Sequence, residues 1–237
     1  MADRLREKYF GHQEHPYRTF EKSVSKLVTP ERTLLDVGCG RTAPVLAKFA
    51  GRAKRLVGID LVQFTSDGSG MELRNGDITA TGLPPSSVDV VMARSVMEHV
   101  TEPQRAYREM YRVLAPGGSF VFLTANLWDY ASIVAMVVPN RWHPWVVERV
   151  EGRAPDDVFP IAYKCNTKSV IRRLAADSGF RVKTLDYLGQ YPAYFLFNGP
   201  LFFLATGYQK LIENVSVLNG LQGWIMAVLE KPAAPTA

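Results

Sequence analysis

A short apolar run that stops at a glycine-rich turn constrains the fold of this chain more than any other feature. Thr33–Val37 (TLLDV) has the length and apolar character of a buried strand, and Gly38 and Gly40 follow it at once. Glycines in this place allow the backbone to turn sharply and to pass close beneath a ligand. Pro44–Ala50 then has the pattern of a helix whose N-terminus is aimed at that ligand.

The rest of the chain repeats this alternation of strands and helices. Thr101 and Thr167 can each cap a helix N-terminus, and the helices that follow end near Leu114 and Ser178. Strands separated by short helices are typical of βαβ units. We therefore predict an α/β, Rossmann-like fold with a seven-stranded, mostly parallel sheet and helices on both faces. The predicted strands are Thr33–Val37, Arg55–Asp60, Glu72–Asp77, Val88–Ala93, Ser119–Thr124, Phe180–Leu188 and Trp224–Leu229.

The length of 237 residues suits a single domain, 1–237. Residues 1–32 contain a helical pattern with apolar positions on one face and are expected to form an N-terminal cover. The strands and helices of 33–124 are expected to form the cofactor-binding core. Residues 125–166 and 192–223, after the fifth and sixth strands, are too long for ordinary connections, so we predict that they are cap insertions.

An uncharged stretch from Tyr187 to Gln209 is long enough to span a bilayer. Pro192 and Asn198-Gly199-Pro200 interrupt it near its centre, so a transmembrane helix is not expected. We predict instead a buried or partly exposed apolar element, which covers the substrate or contacts a membrane surface.

Composition excludes several classes of function. The 28 Lys and Arg residues exceed the 23 Asp and Glu residues by five, but no dense basic block is present, so nucleic acid is not an expected partner. Cys39 and Cys165 are far apart and lack metal-ligand spacing, so we expect no metal site and a reducing compartment. The N-terminus MADRLREKYF is charged where a signal peptide is apolar, which predicts a cytoplasmic location, with a membrane-peripheral position as the alternative.

The acidic residues at the strand ends bear on the choice of cofactor. Gly38, Gly40 and Ala43 fit the G-x-G-x-x-(G/A) fingerprint, and Asp60 follows where a ribose-binding acid belongs, so a nicotinamide-dependent oxidoreductase is one hypothesis. Asp36 argues against it, because a carboxylate before the first glycine is unfavourable beside a pyrophosphate and favourable beside an ammonium or sulfonium group. Asp77, after the third strand, can accept a hydrogen bond from an adenine amino group.

These motifs, followed by VDVVMARSVMEHV and RVLAPGGSFVFLT, resemble the class I S-adenosylmethionine-dependent methyltransferases. The chain is similar to the small-molecule enzymes of the ubiquinone and menaquinone methyltransferase group over residues 33–124. One departure is Thr42, which stands where family loops often have a third glycine. The resemblance implies S-adenosylmethionine as the cofactor. Carried over by position, it implies cofactor contacts from Asp36, Gly38, Cys39, Gly40, Asp60, Leu61, Asp77, Ile78 and Arg94.

The resemblance also implies a role for His99, which would face the methyl group. Asp36 and Asp60 also suit helix N-caps, and His99 also suits an ordinary packed side chain, so the sequence leaves these uses open. If the acceptor is a hydroxyl, His99 is the first candidate for a general base. His143 and Tyr163, in the first insertion, are candidate substrate contacts.

The aromatic, uncharged insertions favour an apolar, aromatic or amphipathic small-molecule acceptor. The predicted reaction is O-methylation of a sugar or phenolic hydroxyl. Carbon methylation of a quinone-type precursor is an alternative, and a peripheral membrane or lipid-like substrate contact is compatible with both. A NAD-dependent oxidoreductase and a non-catalytic subunit that binds S-adenosylmethionine are the hypotheses from other classes. The oligomeric state is not predicted.

Overall fold

The computed structural model describes residues 2–65, 70–137 and 159–233. Within them, seven strands form one sheet. They are β1 (Thr33–Val37), β2 (Arg55–Asp60), β3 (Glu72–Asn75), β4 (Val88–Arg94), β5 (Leu114–Ala125), β6 (Arg181–Leu188) and β7 (Trp224–Glu230). The strand order is β3-β2-β1-β4-β5-β7-β6. Only β7 is antiparallel to its neighbours, so the predicted α/β fold with a mostly parallel sheet is confirmed.

Six α-helices accompany the sheet in the described residues. They are α1 (Ala2–Phe10), α2 (Pro16–Ser25), α3 (Pro103–Val113), α4 (Tyr130–Val137), α5 (Lys168–Asp177) and α6 (Gly199–Asn214). The predicted Thr167 cap of α5 is confirmed, because its side chain accepts a hydrogen bond from Val170 N. The N-cap predicted for α3 at Thr101 was one residue early, since the helix begins at Pro103 with Glu102 at the N-cap.

The helices cover both faces of the sheet because successive strand side chains point to opposite faces. On one face, Leu34 of β1 shares a buried cluster with Phe20 and Val24 of α2. On the other face, Leu35 belongs to a cluster that includes α3 and α5. Tyr107 of α3 is fully buried in this second cluster. The core is therefore divided into two apolar layers by the sheet.

The helix predicted over Pro44–Ala50 was wrong in type and extent. The structure forms only a four-residue 3-10 helix, Leu46–Phe49. Lys48 N donates to Val45 O and Ala50 N donates to Ala47 O, which is the three-residue hydrogen-bond spacing of a 3-10 helix. The preceding turn stays outside the helix, because Gly40 and Ala43 have φ values of 77° and 46°. The turn after β1 therefore does not lead directly into an α-helix.

Two strand boundaries differ from the prediction by more than one residue. β3 ends at Asn75 instead of Asp77, which forms an isolated bridge with Ala80. β5 begins at Leu114 instead of Ser119. The Pro-Gly-Gly turn inside it exchanges backbone hydrogen bonds with Lys231, which accepts from Gly117 N at 2.8 Å and donates to Gly118 O at 2.9 Å.

The uncharged stretch after β6 forms a 3-10 helix, Ala193–Phe195, and most of α6. One face of α6 is buried through Phe202 and Ile212, while Leu204 on its outer face is 70% exposed. Among the described residues, no helix combines the length and apolar character needed to cross a membrane.

We predict opposite effects of alanine at two glycines. A Cβ at Gly58 in β2 would lie 2.8 Å from Leu73 Cδ2 and 2.9 Å from Cys39 Sγ, so Gly58→Ala should lower the free energy of unfolding by about 1–3 kcal/mol. A Cβ at Gly207, inside α6, meets nothing within 4 Å. Gly207→Ala should therefore raise that free energy by about 0.5–1 kcal/mol. Urea unfolding measures both, and equal stability of Gly58→Ala and the wild type would contradict the packing of this strand.

Candidate active site

The glycine turn after β1 lies where the strand order reverses, between β1 and β4. Parallel sheets of this kind bind ligands at the carboxyl ends of the strands at such a point. Gly38 has a φ of 72°, and a Cβ there would overlap the Val96 side chain. Gly40 has a φ of 77°, and a Cβ there would meet nothing within 4 Å. The turn therefore combines close packing at its first glycine with open space above its second.

Asp60, at the end of β2, fixes the position of this turn. Its Oδ2 accepts a hydrogen bond from Gly40 N at 2.7 Å, and its Oδ1 accepts one from Val62 N at 3.1 Å. Each carboxylate oxygen retains a second lone pair, which a ribose hydroxyl can use. Asp60 is thus not a helix N-cap, since no α-helix follows it in the described residues.

Asp36, at the end of β1 next to Asp60, is a buried carboxyl with an unused oxygen. Its side chain is almost fully buried, and its Oδ2 has no hydrogen-bond partner among the described residues. Burial raises the pKa of Asp36 to about 8; the nearby Arg94 cation opposes this rise, and the Asp60 carboxylate adds to it. An unpaired buried carboxyl is costly. The unpartnered oxygen of Asp36 can therefore form an ion pair with a cationic group of a ligand.

The residues predicted to hold adenine lie at the ends of β2 and β3. Leu61 is 62% exposed, and Ile78 is half-buried against the core. Asp77 Oδ1 accepts a hydrogen bond from Thr79 N at 2.6 Å, which fixes the carboxyl in a turn. The structure therefore brings Asp36, Asp60 and Asp77 to the ends of three adjacent strands.

Cys39 has a packing role in the glycine turn. It is buried, and its Sγ lies where a Cβ on Gly58 would be only 2.9 Å away, so the small thiol fills a close contact between the turn and β2. Burial raises the pKa of the Cys39 thiol, and the Asp36 and Asp60 carboxylates add to the rise. The thiol is therefore protonated and unreactive at neutral pH.

Arg94, at the end of β4, is held by the N-terminal helix α2. Its Nη1 lies 3.3 Å from Glu21 Oε1, and its guanidinium carbon lies 4.4 Å from the centre of the Tyr17 ring. The sequence predicts an N-terminal cover over residues 1–32, and nothing in that pattern singles out Glu21. An acidic residue one turn after an aromatic one in a helix carries no motif that would have revealed this contact.

His99 ends the 3-10 helix Met97–His99, just beyond β4. Its Nδ1 lies 3.1 Å from the carbonyl oxygen of Pro160. Because a carbonyl only accepts hydrogen bonds, Nδ1 must carry the proton, and in the neutral ring Nε2 is then the basic nitrogen. The Phe159 ring meets the imidazole edge to face, with 6.1 Å between centroids.

Glu98 belongs to a buried hydrogen-bond chain that the sequence did not reveal. Its Oε2 accepts from Thr124 Oγ1 at 2.8 Å, and Thr124 Oγ1 accepts from Asn166 Nδ2 at 2.7 Å. Burial raises the pKa of Glu98, whereas the neighbouring His99 and the hydrogen bonds that the carboxyl accepts lower it. Glu98, Thr124 and Asn166 are far apart in sequence, so no local pattern predicts their hydrogen bonds. The only clue in the sequence is that Glu98 is adjacent to His99.

Tyr163 lies beside the same chain. Its backbone has a φ of 47°, which is strained for a non-glycine residue, and its N–H donates to Glu98 O at 3.0 Å. Burial raises the pKa of its hydroxyl, while a hydrogen bond with Ser132 lowers it. The structure thus places the backbone of Tyr163 in contact with the backbone of Glu98. The other predicted substrate contact, His143, lies outside the described residues.

Comparisons with known proteins identify the family. A family model for a methyltransferase domain matches residues 35–122. Ubiquinone biosynthesis O-methyltransferases of Pseudomonas putida are 27% to 33% identical over 183 residues, which are 65% of this chain and 78% of each relative. The chain belongs to the class I S-adenosylmethionine-dependent methyltransferases.

Solved structures agree with this fold at low sequence identity. One is a chain of the complex between the Haloferax volcanii Trm112 methyltransferase activator and a methyltransferase, with a TM-score of 0.63, 16% identity and coverage of 99% of this chain and 97% of that chain. Another is geranyl diphosphate C-methyltransferase from Streptomyces coelicolor, with a TM-score of 0.55, 15% identity and coverage of 91% and 78%.

The methyltransferase uses S-adenosylmethionine as its cofactor, and the turn after β1 fits that molecule. The unpartnered Asp36 oxygen suits a cation, and both a sulfonium and an α-ammonium group are cations. A pyrophosphate would place anionic oxygens beside the same carboxyl. The nicotinamide alternative is therefore set aside, and the match to the methyltransferase family favours an enzyme over a non-catalytic subunit. Groups of three or more acidic, histidine or cysteine side chains that suit a metal ion do not occur in residues 2–65, 70–137 and 159–233.

The pKa of Asp36 predicts that cofactor binding releases a proton. In the free methyltransferase, Asp36 is mostly protonated at pH 7, because its pKa is about 8. A cationic ligand favours the ionised carboxyl, so the affinity for S-adenosylmethionine should rise up to about tenfold per unit as the pH increases from 6 towards 8. Calorimetry in buffers with different ionisation enthalpies measures the released proton.

A matched pair of variants controls this measurement. Asp36→Asn should abolish the proton release and weaken binding, whereas Asp177→Asn, at an exposed position on α5, should change neither. Binding of S-adenosylmethionine to the wild type without proton release would refute the assignment of Asp36.

The same carboxyl predicts how the stability of the free methyltransferase depends on pH. Its ordinary pKa of 3.8 applies in the unfolded chain, and its folded pKa is about 8. Between these values the folded state binds more protons, so this carboxyl lowers the free energy of unfolding progressively as the pH rises from about 4 to about 8. Asp36→Asn should flatten this part of a stability profile measured by urea unfolding. An unchanged slope would mean that Asp36 titrates normally.

Proposed function

We propose that this methyltransferase transfers a methyl group to a hydroxyl oxygen of a small apolar or aromatic molecule, such as a phenol or a sugar on an amphipathic metabolite. The observation that carries the proposal is the fixed orientation of His99. Its Nδ1 is held by the Pro160 carbonyl, which leaves Nε2 as the basic nitrogen. A hydroxyl acceptor benefits from such a base because its pKa lies well above neutrality.

The cofactor contacts are part of the same proposal. Asp36 faces the positively charged half of the cofactor, Asp60 holds the ribose hydroxyls, and Arg94 lies by the methionine carboxylate. Gly38, Cys39 and Gly40 let the backbone pass beneath. Support comes from the three strand-end carboxyls and the open space above Gly40. The adenine is placed on Leu61 and between Asp77 and Ile78.

When bound, S-adenosylmethionine supplies a methyl group on a sulfonium sulfur, which departs as a neutral thioether. His99 would take the proton of the acceptor hydroxyl on Nε2, which would leave the oxygen able to receive the methyl group. The rest of the protein aligns the reactants and excludes water. Buried hydrogen bonds link Glu98 to Thr124 and Thr124 to Asn166, and they hold in place the backbone next to His99.

Aromatic residues near His99 suit an aromatic or apolar acceptor. Phe159 and Tyr163 lie beside the Glu98-His99 pair, and the exposed Trp128 follows β5 in the same insertion. The relatives named as O-methyltransferases favour oxygen over carbon as the nucleophile. The similarity to a geranyl diphosphate C-methyltransferase, at 15% identity, bears on the fold alone and does not favour the carbon-methylation alternative.

We further propose that α6 contacts a lipid surface. Large side chains spaced three or four residues apart form an apolar stripe on its outer side, and residues 187–209 contain no charge. At 16 residues the helix is about 24 Å long and suits a position along a membrane surface. An exposed apolar surface of this kind is typical of interaction sites. The stripe consists of Leu201, Leu204, Tyr208 and Leu211 of α6, extended by Phe197 just before the helix and by Val215 just after it.

Removing the base should lower turnover according to the acidity of the acceptor. His99→Ala should reduce kcat about 10²- to 10⁴-fold with ordinary phenols, while the affinity for S-adenosylhomocysteine stays unchanged. The loss should be much smaller with 4-nitrophenol, which is already partly ionised at neutral pH. Transfer of radiolabelled methyl groups to a panel of phenols and catechols measures both effects.

Three outcomes would overturn parts of this proposal. Equal losses with acidic and ordinary phenols would remove His99 as the base. A methyl group found on carbon in the isolated product would favour the C-methylation alternative. Absence of transfer to the whole panel, together with transfer to sugar hydroxyls, would exclude the phenolic acceptor.

Charges in the apolar stripe should abolish membrane contact. Phe197→Asp with Leu204→Asp should lose flotation with phosphatidylcholine–phosphatidylglycerol vesicles, because both side chains are highly exposed and a carboxylate is not accommodated in an apolar interface. Val217→Asp, at an equally exposed position after α6, is the matched control and should retain flotation. A wild-type protein that stays with the unbound fraction would exclude the lipid surface.

A further inference from the structure

The Arg94 guanidinium is held on two sides by residues of one helix. The ring of Tyr17 lies beneath it at 4.4 Å, and Glu21 Oε1 accepts from its Nη1 at 3.3 Å. The Arg94 and Glu21 side chains are only 24% and 22% exposed, so the contact is better shielded than an ordinary surface ion pair. Two side chains one helical turn apart therefore restrict both the plane and the direction of the guanidinium.

Glu21 joins three parts of the molecule. The same oxygen that accepts from Arg94 also accepts from Lys48 Nζ at 2.7 Å. Lys48 lies in the 3-10 helix after the glycine turn, and Arg94 ends β4. Two cations thus share the negative charge of Glu21, which reduces its repulsion of a nearby anion.

The Tyr17 ring is itself fixed in place. Its hydroxyl lies 3.2 Å from Ser95 Oγ, and its ring meets the Trp224 ring edge to face with 5.4 Å between centroids. Its backbone N–H donates to His15 Nδ1, the N-cap of α2, at 3.2 Å. These contacts hold the Tyr17 ring in one orientation, and the ring in turn restricts the Arg94 guanidinium that lies over it.

Arg94 and Asp36 present opposite charges on the same side of the sheet. In the register of β1 and β4, Asp36 pairs with Met92, and Arg94 is two residues further along the strand. Residues two apart on a strand share a face. Leu34 and Met92 both belong to the cluster under α2, so Asp36 and Arg94 also face α2. A cation next to an acid matches a zwitterionic amino-acid group, which carries an ammonium and a carboxylate on one carbon.

We propose that Glu21 and Tyr17 are positioning residues that hold Arg94 so that its free N–H groups bind the carboxylate of the amino-acid half of the cofactor. The inference rests on the role given to Arg94 under the proposed function. A guanidinium has five N–H donors in a rigid fork, and Glu21 is within reach of one nitrogen, so others are available for a carboxylate. Helix α2 thereby makes the protein selective for a ligand with an amino-acid group.

This role separates two ligands that share everything except that half. S-adenosylhomocysteine carries the amino acid, whereas 5′-methylthioadenosine keeps the adenosine and sulfur but lacks it. A residue that positions Arg94 affects the first ligand alone. A residue that only stabilises the fold affects both ligands equally, or neither.

The test measures the dissociation constants of both ligands by calorimetry on full-length variants. Glu21→Leu should weaken S-adenosylhomocysteine about tenfold and 5′-methylthioadenosine less than twofold. Glu21→Gln keeps an acceptor for Arg94 and should restore most of the affinity. Arg94→Ala should cost roughly 10- to 100-fold, and the double variant should lose little more than Arg94→Ala alone, because the two residues act together.

A matched control comes from the same part of the chain. Glu14 pairs with Lys22 at 2.5 Å on the exposed side of α2. Glu14→Gln should leave both dissociation constants unchanged. Tyr17→Leu provides a second variant at the other support and should show the same selectivity as Glu21→Leu.

The outcomes distinguish this inference from the proposed function. A wild type that binds neither ligand refutes the cofactor site itself. A wild type that binds both, with Glu21→Leu weakening both equally or leaving S-adenosylhomocysteine unchanged, refutes the positioning role alone. Additive losses in the double variant also overturn it, since they mean that Glu21 acts independently of Arg94.

Discussion

The active site depends on the point where the order of the strands reverses, between β1 and β4. At such a point no connection covers the carboxyl ends of the two strands. The turn after β1 and the neighbouring strand ends therefore border an open crevice. The Asp60 carboxylate converts this opening into a defined cradle, because it holds the Gly40 amide at 2.7 Å. Asp36 enters the same cradle with one carboxyl oxygen unused, at a charge state that a cationic ligand can change.

The N-terminal helix completes this half of the site from the outside. α2 covers one face of the sheet with Phe20 and Val24, and the same helix turns Tyr17 and Glu21 towards the end of β4. Packing and ligand chemistry are thus coupled. The apolar residues of α2 set its distance from the sheet, and that distance decides whether its polar residues reach Arg94.

The proposed acceptor half has a different kind of order. Its groups come from the 3-10 helix after β4, from β5 and from the segment around Tyr163, and they meet through hydrogen bonds instead of a strand register. The backbone carbonyl of Glu98 accepts from the N–H groups of Ala162 and Tyr163, which brings that segment against the strand ends. Pro160 then lies close enough to orient His99. The imidazole is oriented by backbone that belongs to an insertion and not to the sheet.

The elements that could be predicted from the sequence are those with a recognisable local residue pattern. All seven strands were predicted, since apolar runs bounded by turns report burial directly, and the glycine turn was recognised from its residues alone. The α-helix predicted over Pro44–Ala50 was wrong because its hydrogen bonds join residues three positions apart, a 3-10 pattern that the residue pattern does not distinguish from an α-helix. The hydrogen bonds of Glu21, Thr124 and Asn166 were not predicted, because each of these residues bonds to a partner distant in sequence.

The sequence by itself determined the class of fold, the position of the glycine turn after β1 and the identity of the acids at the neighbouring strand ends. These follow from periodicity and from residue types next to one another in the chain. Only the tertiary structure decided that Asp36 is buried with an oxygen unpartnered among the described residues, that Arg94 is held by α2 and that His99 Nδ1 faces the Pro160 carbonyl. Burial, charge and tautomer depend on atoms contributed by other elements, and no local pattern contains that information.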